Sequence, residues 1–352
     1  MSSLRYKLFR TALEALYFSG AYAVLRPLLG GVGAILMLHH VRPGRSDRFQ
    51  PNRLLEVTPS YFDDVIRKVR KSRVDIVSLD EAHRRLTERD FSRRFVCITF
   101  DDGYRDTLHH AYPILKKHNA PFTVYVATSF ADRVGELWWL ALEAVVARND
   151  LVGARIEGRD YWFEARTVQE KRAVFDHIYG CLRALKTEDA LRQVVRDMAS
   201  RHRVDVVSFC RDLCMDWQEL AELARDPLVT IGAHTVNHPI LAKITDNAVR
   251  AELENSRAVI EAATGTRPQH FAYPVGDRTA AGPREFQIAA ELGYKTAVTT
   301  RPGMIFPEHA GHLLALPRLS LNGEFQHLRH AKVLLSGAAT GLWNGFRKLN
   351  VA

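Results

Sequence analysis

Eight short apolar runs recur along this chain, at residues 34–38, 75–78, 95–100, 122–127, 229–232, 270–273, 296–299 and 313–319. Most are separated by stretches of helical periodicity, and no other feature narrows the fold so far. Strand, helix and strand in alternation are the signature of βα units around a mostly parallel sheet. Eight such strands suggest a closed barrel. Several intervening helices have legible ends. Thr58 ahead of Pro59 opens one that is predicted to run to about residue 71. Asp216 with Glu219 three residues on has the form of a capping box. Helices opening near Asp246 and after Pro283 are predicted to stop at Gly265 and Gly293. Residues 136–211 break the alternation. They read as a helix-rich insertion between two barrel strands, beginning at Trp138-Trp139.

The polar residues fall in one place in this scheme. His39-His40, Asp101-Asp102, His234, Tyr273-Pro274 and Arg318 lie at or just beyond the C-terminal ends of predicted strands. Active sites of β/α barrels occupy that face. Asp101 and Asp102 close the apolar run 95–100. Two ionised carboxylates there repel each other and cost desolvation unless a cation sits between them. His234 and His238, four residues apart, supply two further ligands. One carboxylate with two imidazoles makes a first-row metal site that leaves positions open for water and substrate. The second carboxylate is then free to act as a base, which is the pattern of a metal hydrolase. Trp138 and Trp139 read either as platforms for sugar rings or as packing of the insertion. Asp277 reads as a loop carboxylate unless it faces a pocket.

Composition excludes some alternatives. The chain has 352 residues, of which 47% are hydrophobic and 25% charged, an ordinary balance for a folded domain. The net charge of +9 is spread along the chain, and no basic run is interleaved with aromatics, which argues against a nucleic-acid partner. Such a surface suits an acidic partner instead, such as phospholipid headgroups or a phosphate-bearing glycolipid carrier. Cys97, Cys181, Cys210 and Cys214 have no disulfide or zinc-finger spacing and read as free thiols. Residues 17–38 are mostly apolar but interrupted by Arg26-Pro27 and several glycines, too broken for a spanning helix. No small-residue cleavage site follows a clean apolar core. Residues 1–32, carrying Arg5, Lys7 and Arg10, therefore read as an amphipathic segment. Residues 326–352, with Trp343, Phe346, Arg347 and Lys348, read as a C-terminal amphipathic helix. Both suit packing on the domain or peripheral membrane contact. The expected address is cytoplasmic, with membrane association.

At the chemistry-bearing residues the chain resembles the polysaccharide deacetylases, the NodB-homology group also known as carbohydrate esterase family 4. The first family motif, TFDDG, stands at Thr99-Phe100-Asp101-Asp102-Gly103. The second, H-[ST]-x-x-H, stands at His234-Thr235-Val236-Asn237-His238. Residues 271–276 resemble a degenerate third motif, and the likeness spans about residues 34 to 320. The resemblance implies a distorted (β/α) barrel of the NodB-homology type over residues 33–325, with the helical insertion inside it. It further implies that Asp102, His234 and His238 hold a divalent metal, commonly zinc, with cobalt and nickel also accepted by this ligand set. Asp101 is then the general base that takes a proton from water. The reaction implied is N-deacetylation of an N-acetylated aminosugar in a polysaccharide, oligosaccharide or lipid-linked glycan. The backbone N–H of Val275 is the expected oxyanion donor, and Tyr273 is divided between lining the pocket and packing.

Two departures from the family pattern stand out. Ala272 occupies the place of an arginine that orients the catalytic aspartate, and Val275 that of an aromatic. The late L-x-H motif that supplies the general acid is replaced by Leu314-Ala315-Leu316-Pro317-Arg318. Residues 36–41, Leu-Met-Leu-His-His-Val, resemble the early strand of the poly-N-acetylglucosamine deacetylase branch, where the motif order is permuted. On that match His39 is the general acid, with His40 second, and Arg318 is the candidate for the missing arginine. Two rival readings stay open: an amide or ureide hydrolase of the same superfamily, and a carbohydrate-binding protein that has lost turnover.

Overall fold

The computed structural model describes residues 3–351, so Met1, Ser2 and Ala352, at the tips of the two terminal segments, lie outside the described residues. The side chain of Arg5 lies outside them too. Twelve strands are present among the described residues: β1 (Gly33–Leu38), β2 (His40–Val41), β3 (Glu56–Val57), β4 (Val74–Ile76), β5 (Arg94–Phe100), β6 (Phe122–Val126), β7 (Leu151–Ile156), β8 (Arg159–Glu164), β9 (Val229–Ala233), β10 (His270–Ala272), β11 (Thr296–Pro302) and β12 (Leu316–Ser320). The main sheet runs β1-β12-β11-β10-β9-β6-β5 and closes when β5 pairs back to β1, every pairing being parallel. The result is a distorted seven-strand β/α barrel.

One of the eight predicted strands, β4, stands outside the ring. One edge of β5 is taken by β1 along its length, from Gly33 opposite Phe95 to Leu38 opposite Phe100. The other edge is divided: β6 pairs at Thr99 and Phe100, while β4 pairs only at residues 94–96. β4 therefore extends the sheet without entering the closure. The last predicted strand also begins later than expected, because residues 313–315 form a 3-10 turn.

Side-chain alternation sorts these strands into an inside and an outside. Leu36, Leu38, Val96, Ile98 and Phe100 pack outward with Phe62, Val65, Ile66 and Val69 of helix Pro59–Arg70. Ile35, Phe95, Cys97, Tyr125, Val298 and Leu316 form a separate cluster in the interior. Continuing the inward series past the strand ends reaches His39 after β1 and Asp101 after β5. The helix caps occur where the sequence predicts. Thr58 accepts from the Tyr61 N–H, Asp216 and Glu219 form a reciprocal capping box, and Gly265 closes helix Asp246–Thr264 at φ 73°.

Between β6 and β9 stand helices Trp138–Arg148, Val168–Ala184, Glu188–Arg201 and Ser208–Leu213, together with the antiparallel hairpin β7–β8. The hairpin is an element that the helix-rich reading of the insertion did not include. Its two-residue turn is Glu157-Gly158, both at positive φ (48° and 80°), the backbone that matches strand twist in tight hairpins.

The terminal segments also differ from expectation. Each forms two helices: Ser3–Phe18 and Ala21–Leu29 at one end, Leu328–Leu335 and Ala338–Trp343 at the other. The breaks fall at Gly20 and Gly337, both left-handed (φ 72° and 80°), so residues 326–352 do not form one helix. A side chain at Gly337 would meet the Leu29 carbonyl. The four helices pack on one another through Leu13, Tyr22, Val333, Leu334 and Ala339, joined by Phe325 from the segment ahead of helix Leu328–Leu335. No described helix is long and apolar enough to cross a membrane.

Candidate active site

Asp101 and Asp102 follow β5 directly, and a turn separates their directions. Asp102 and Gly103 both take left-handed backbone (φ 70° and 66°), so the adjacent carboxylates diverge. Asp101 stays in the inward series, its N–H donating to the Leu38 carbonyl at 3.0 Å. Asp102 turns toward the loop after β9. There its Oδ1 lies 3.5 Å from His234 Nε2 and 3.4 Å from His238 Nε2.

All three of these residues are buried, and their candidate ligand atoms lie within 4.8 Å of one another. The His234 ring is oriented by a 2.6 Å hydrogen bond between Nδ1 and the Ala272 carbonyl. A carbonyl only accepts, so Nδ1 carries the proton and the Nε2 lone pair faces Asp102. Asp102 Oδ1 has no hydrogen-bond partner among the described residues. A buried carboxylate oxygen facing two imidazole nitrogens, and satisfied by nothing else, fits a cation at their centre. Burial lowers the affinity of His238 for a proton, bringing its pKa down to about 3 despite the nearby Asp102 carboxylate. It is therefore neutral and able to ligate.

The residues that hold this cluster's backbone in place are largely invisible in the sequence. Arg192, from the insertion, donates to the carbonyls of Asn237 and His238 at 2.9 and 3.1 Å. Glu188, one turn earlier, pairs with Arg192 at 2.8 Å and accepts from the Ile240 N–H. On the other side Glu252 accepts from the N–H groups of Val236 and Asn237. The loop needs this support, since Thr235 and His238 both sit at positive φ (67° and 55°). Trp139 flanks the cluster, its ring 5.0 Å from that of His238.

Arg318 is the third residue of β12, within the strand rather than beyond its end. It reaches through the barrel interior to Asp101, placing Nη1 and Nη2 each 2.7 Å from a different carboxylate oxygen. Thr99 Oγ1 and the Thr299 carbonyl accept two more of its donors, at 3.1 and 2.9 Å. Burial alone would raise the Asp101 pKa, but the charge and hydrogen bonds of Arg318 outweigh it and hold the carboxyl below its usual range. Asp101 is thus a buried anion.

His39 lines the same cavity, with Nε2 3.9 Å from Asp101 Oδ2. Burial lowers its pKa, against the pull of Asp101 and Asp102. His40 faces the other way, as strand alternation requires. Its Nδ1 is 2.5 Å from Asp106 Oδ2, and its ring stacks on Tyr104. Of the two histidines, only His39 is brought to Asp101.

The cavity above these groups encloses about 540 Å³. Trp138, Trp139 and Tyr179 of the insertion line it, as do Val275 and Asp277 after β10. Val275 sits at φ 61°, an unusual backbone for a β-branched residue, and its N–H makes no hydrogen bond to a described residue. Tyr273 is placed elsewhere. It is fully buried, its hydroxyl donates to the Leu314 carbonyl at 2.8 Å, and its ring packs on Phe271 and Phe286. The substrate contact entertained for it is therefore replaced by a core role, because the step after β10 points it under helix Pro283–Glu291.

A family model described as polysaccharide deacetylase matches residues 88–297, more than half of the chain. The chain belongs to that family. Among curated proteins, a putative polysaccharide deacetylase of Bacillus subtilis (strain 168), YxkH, is 32% identical over 93 residues. That match covers 26% of this deacetylase-family chain and 30% of YxkH, so the chain spans about a third of that relative's length. Among solved structures, the Streptococcus pyogenes deacetylase PplD in complex with acetate superposes with a TM-score of 0.55 at 22% identity. That superposition covers 82% of this chain and 92% of PplD. IcaB from Ammonifex degensii superposes at 0.54 and 18% identity, over 87% and 96% of the two chains. At these identities the likeness establishes the fold.

Proposed function

We propose that this protein removes the acetyl group from an N-acetylated aminosugar of a glycan, as a metal-dependent hydrolase. The observation that carries the reading is the pairing, in one cavity, of a buried Asp102–His234–His238 cluster with a separate, arginine-held Asp101. Asp102, His234 and His238 hold a divalent cation in this reading, with zinc the natural occupant and cobalt or nickel compatible with the same donors. Such a cation supplies Lewis acidity, polarising the acetamide carbonyl and acidifying water.

The remaining work falls to the chain itself. Asp101 accepts the proton of the attacking water, and its two bonds to Arg318 keep the carboxylate aimed and ionised. His39, beside Asp101, delivers a proton to the departing amine. The free Val275 N–H is the donor for the negative charge that develops on the carbonyl oxygen. Trp138 and Trp139, which line the cavity, face the sugar in this reading. The intact cluster favours this reading over an amide or ureide hydrolase of altered ligands, and the ionised Asp101 favours it over a binding protein.

The reading includes peripheral membrane contact and a cytoplasmic address. The terminal helices support the former: Phe18, Val24, Leu28 and Trp343 are all more than half exposed, with basic residues among them. The decisive experiment measures acetate release from N-acetylglucosamine oligomers by the zinc-loaded protein, beside Asp102→Ala. Release that needs both zinc and Asp102 supports the proposal. Full activity in Asp102→Ala ends it.

A further inference from the structure

A second cavity, of about 380 Å³, adjoins the catalytic one and shares Asp277, Thr300, Pro302 and Trp343 with it. Three arginines line it: Arg278 and Arg347 at the surface and Arg301, which is only 3% exposed. Arg301 donates Nη2 to the Ala281 carbonyl at 2.8 Å and lies over the Phe286 ring at 5.2 Å, but its Nε and Nη1 have no hydrogen-bond partner among the described residues. Arg278 donates to Asn350 Oδ1 at 2.6 Å. Asp277 supplies the cavity's one lining carboxylate among the described residues, and it is already engaged. It pairs with Arg183 at 2.8 Å and accepts from the N–H and hydroxyl of Thr279.

A buried guanidinium with two unmet donors costs free energy, and a second arginine beside it adds repulsion. Burial and the charge of Arg278 both lower the Arg301 pKa, against a weaker opposing effect of Asp277. An anion rich in oxygen acceptors offsets the repulsion among the arginines that line the cavity, and the guanidinium fork matches the spacing of phosphate oxygens.

We propose that this cavity is an anion subsite of the catalytic cleft, and that it holds a phosphate group through which the acetamido sugar is attached to its carrier. For the identity of the sugar the proposal rests on the deacetylase reading; for the anion it does not. The wall beyond the subsite indicates what the phosphate carries. Trp343 lines both cavities, its ring edge-on to Phe9 at 5.8 Å, and Phe9 meets Phe325 at 5.2 Å. Leu334 and Ala339 continue this wall. A strip of this kind takes hydrocarbon better than a nucleoside.

The test is calorimetric titration of the zinc-loaded full chain with pyrophosphate at fixed ionic strength, beside the double variant Arg278→Ala/Arg347→Ala. Both side chains are exposed, so the variant should fold and keep its zinc. The wild type should bind, and the variant at least about tenfold more weakly, the loss expected for charged hydrogen bonds. No binding by the wild type overturns the proposal. So does undiminished binding by the variant, which would put the anion at the metal cluster. Turnover separates the sources of phosphate. The variant should raise KM about tenfold for a prenyl diphosphate or a nucleoside diphosphate of N-acetylglucosamine and leave a neutral oligomer unchanged. Equal effects on charged and neutral substrates overturn the proposal, whereas the better of the two diphosphates identifies the carrier. If no substrate releases acetate while pyrophosphate binding still depends on the two arginines, the deacetylase reading fails and the anion site stands.

Discussion

Arg318 grips Asp101 at two points, each carboxylate oxygen 2.7 Å from its own guanidinium nitrogen, although 217 positions separate the two residues in sequence. Both are almost completely buried. The pair joins a residue inside β12 to one just past β5, strands that are not neighbours in the barrel.

Arg318→Ala should lower kcat/KM by about a hundredfold, the smaller end of what a positioned general base contributes. It should also destabilise the fold by roughly 3–5 kcal/mol, because a buried carboxylate loses its counter-ion. Arg318→Lys keeps the charge but not the fork, and should fall between. Steady-state kinetics with thermal melts on the same samples check both. A folded Arg318→Ala enzyme with wild-type kcat/KM removes the positioning role.

Metal binding should be readable without turnover. Zinc in hundredfold excess over its dissociation constant should stabilise the wild type by about 2.7 kcal/mol. Asp102→Asn should abolish that response, since the unsatisfied Oδ1 is the atom the imidazoles face. Melting curves with zinc and with chelator measure this directly. A zinc-dependent rise that survives in Asp102→Asn would place the metal elsewhere.

Arg192 touches no candidate ligand atom, yet it carries the backbone of the His234–His238 loop. Arg192→Met should weaken zinc binding by about 10- to 100-fold, as expected when outer-shell support of a ligand is lost. Its removal also leaves Glu188 buried without its counter-ion, so stability should fall by about 3–5 kcal/mol. Competition with a fluorescent zinc chelator reads the first effect separately from the second. Unchanged zinc affinity in folded Arg192→Met would show that the loop holds itself.

Glu14 ties the first helix to the C-terminal pair, with oxygens 2.7 Å from Arg329 Nε and His330 Nε2. Hydrogen bonding from Arg329, opposed by slight desolvation and reinforced by His330, lowers its pKa from the usual 4.5 to about 2. A depressed acid pKa stabilises the folded state above the unfolded value, and that contribution is lost as pH falls toward the folded one. The stability gap between wild type and Glu14→Gln should therefore be full above pH 5 and shrink between about 4.5 and 2. Denaturant midpoints across that range test it, and a gap independent of pH contradicts it.

The parallel barrel, the helix caps at Thr58, Asp216 and Gly265, and the Asp102–His234–His238 cluster were all legible in the sequence. Each depends on local rules: the length of an apolar run, side-chain oxygens that satisfy free N–H groups, ligand types at characteristic spacing. The inward direction of His39 and the outward one of His40 followed from strand alternation, once β1 was known to run straight to its end. The β7–β8 hairpin was missed because Glu157-Gly158 is a short signal inside helix-rich flanks.

Other features were decided only by the tertiary structure. The grip of Arg318 on Asp101 needs a closed barrel whose interior brings β12 and β5 together. The support that Arg192 gives His238 crosses from the insertion to a barrel loop. Tyr273 was settled as a core residue by the helix that covers it, and the arginine cavity by the docking of the C-terminal tail near Pro302. What one stretch of chain determines is which groups are present and which way each strand sends them. Which of those groups meet is fixed by long-range packing, and that depends on the whole fold closing at once.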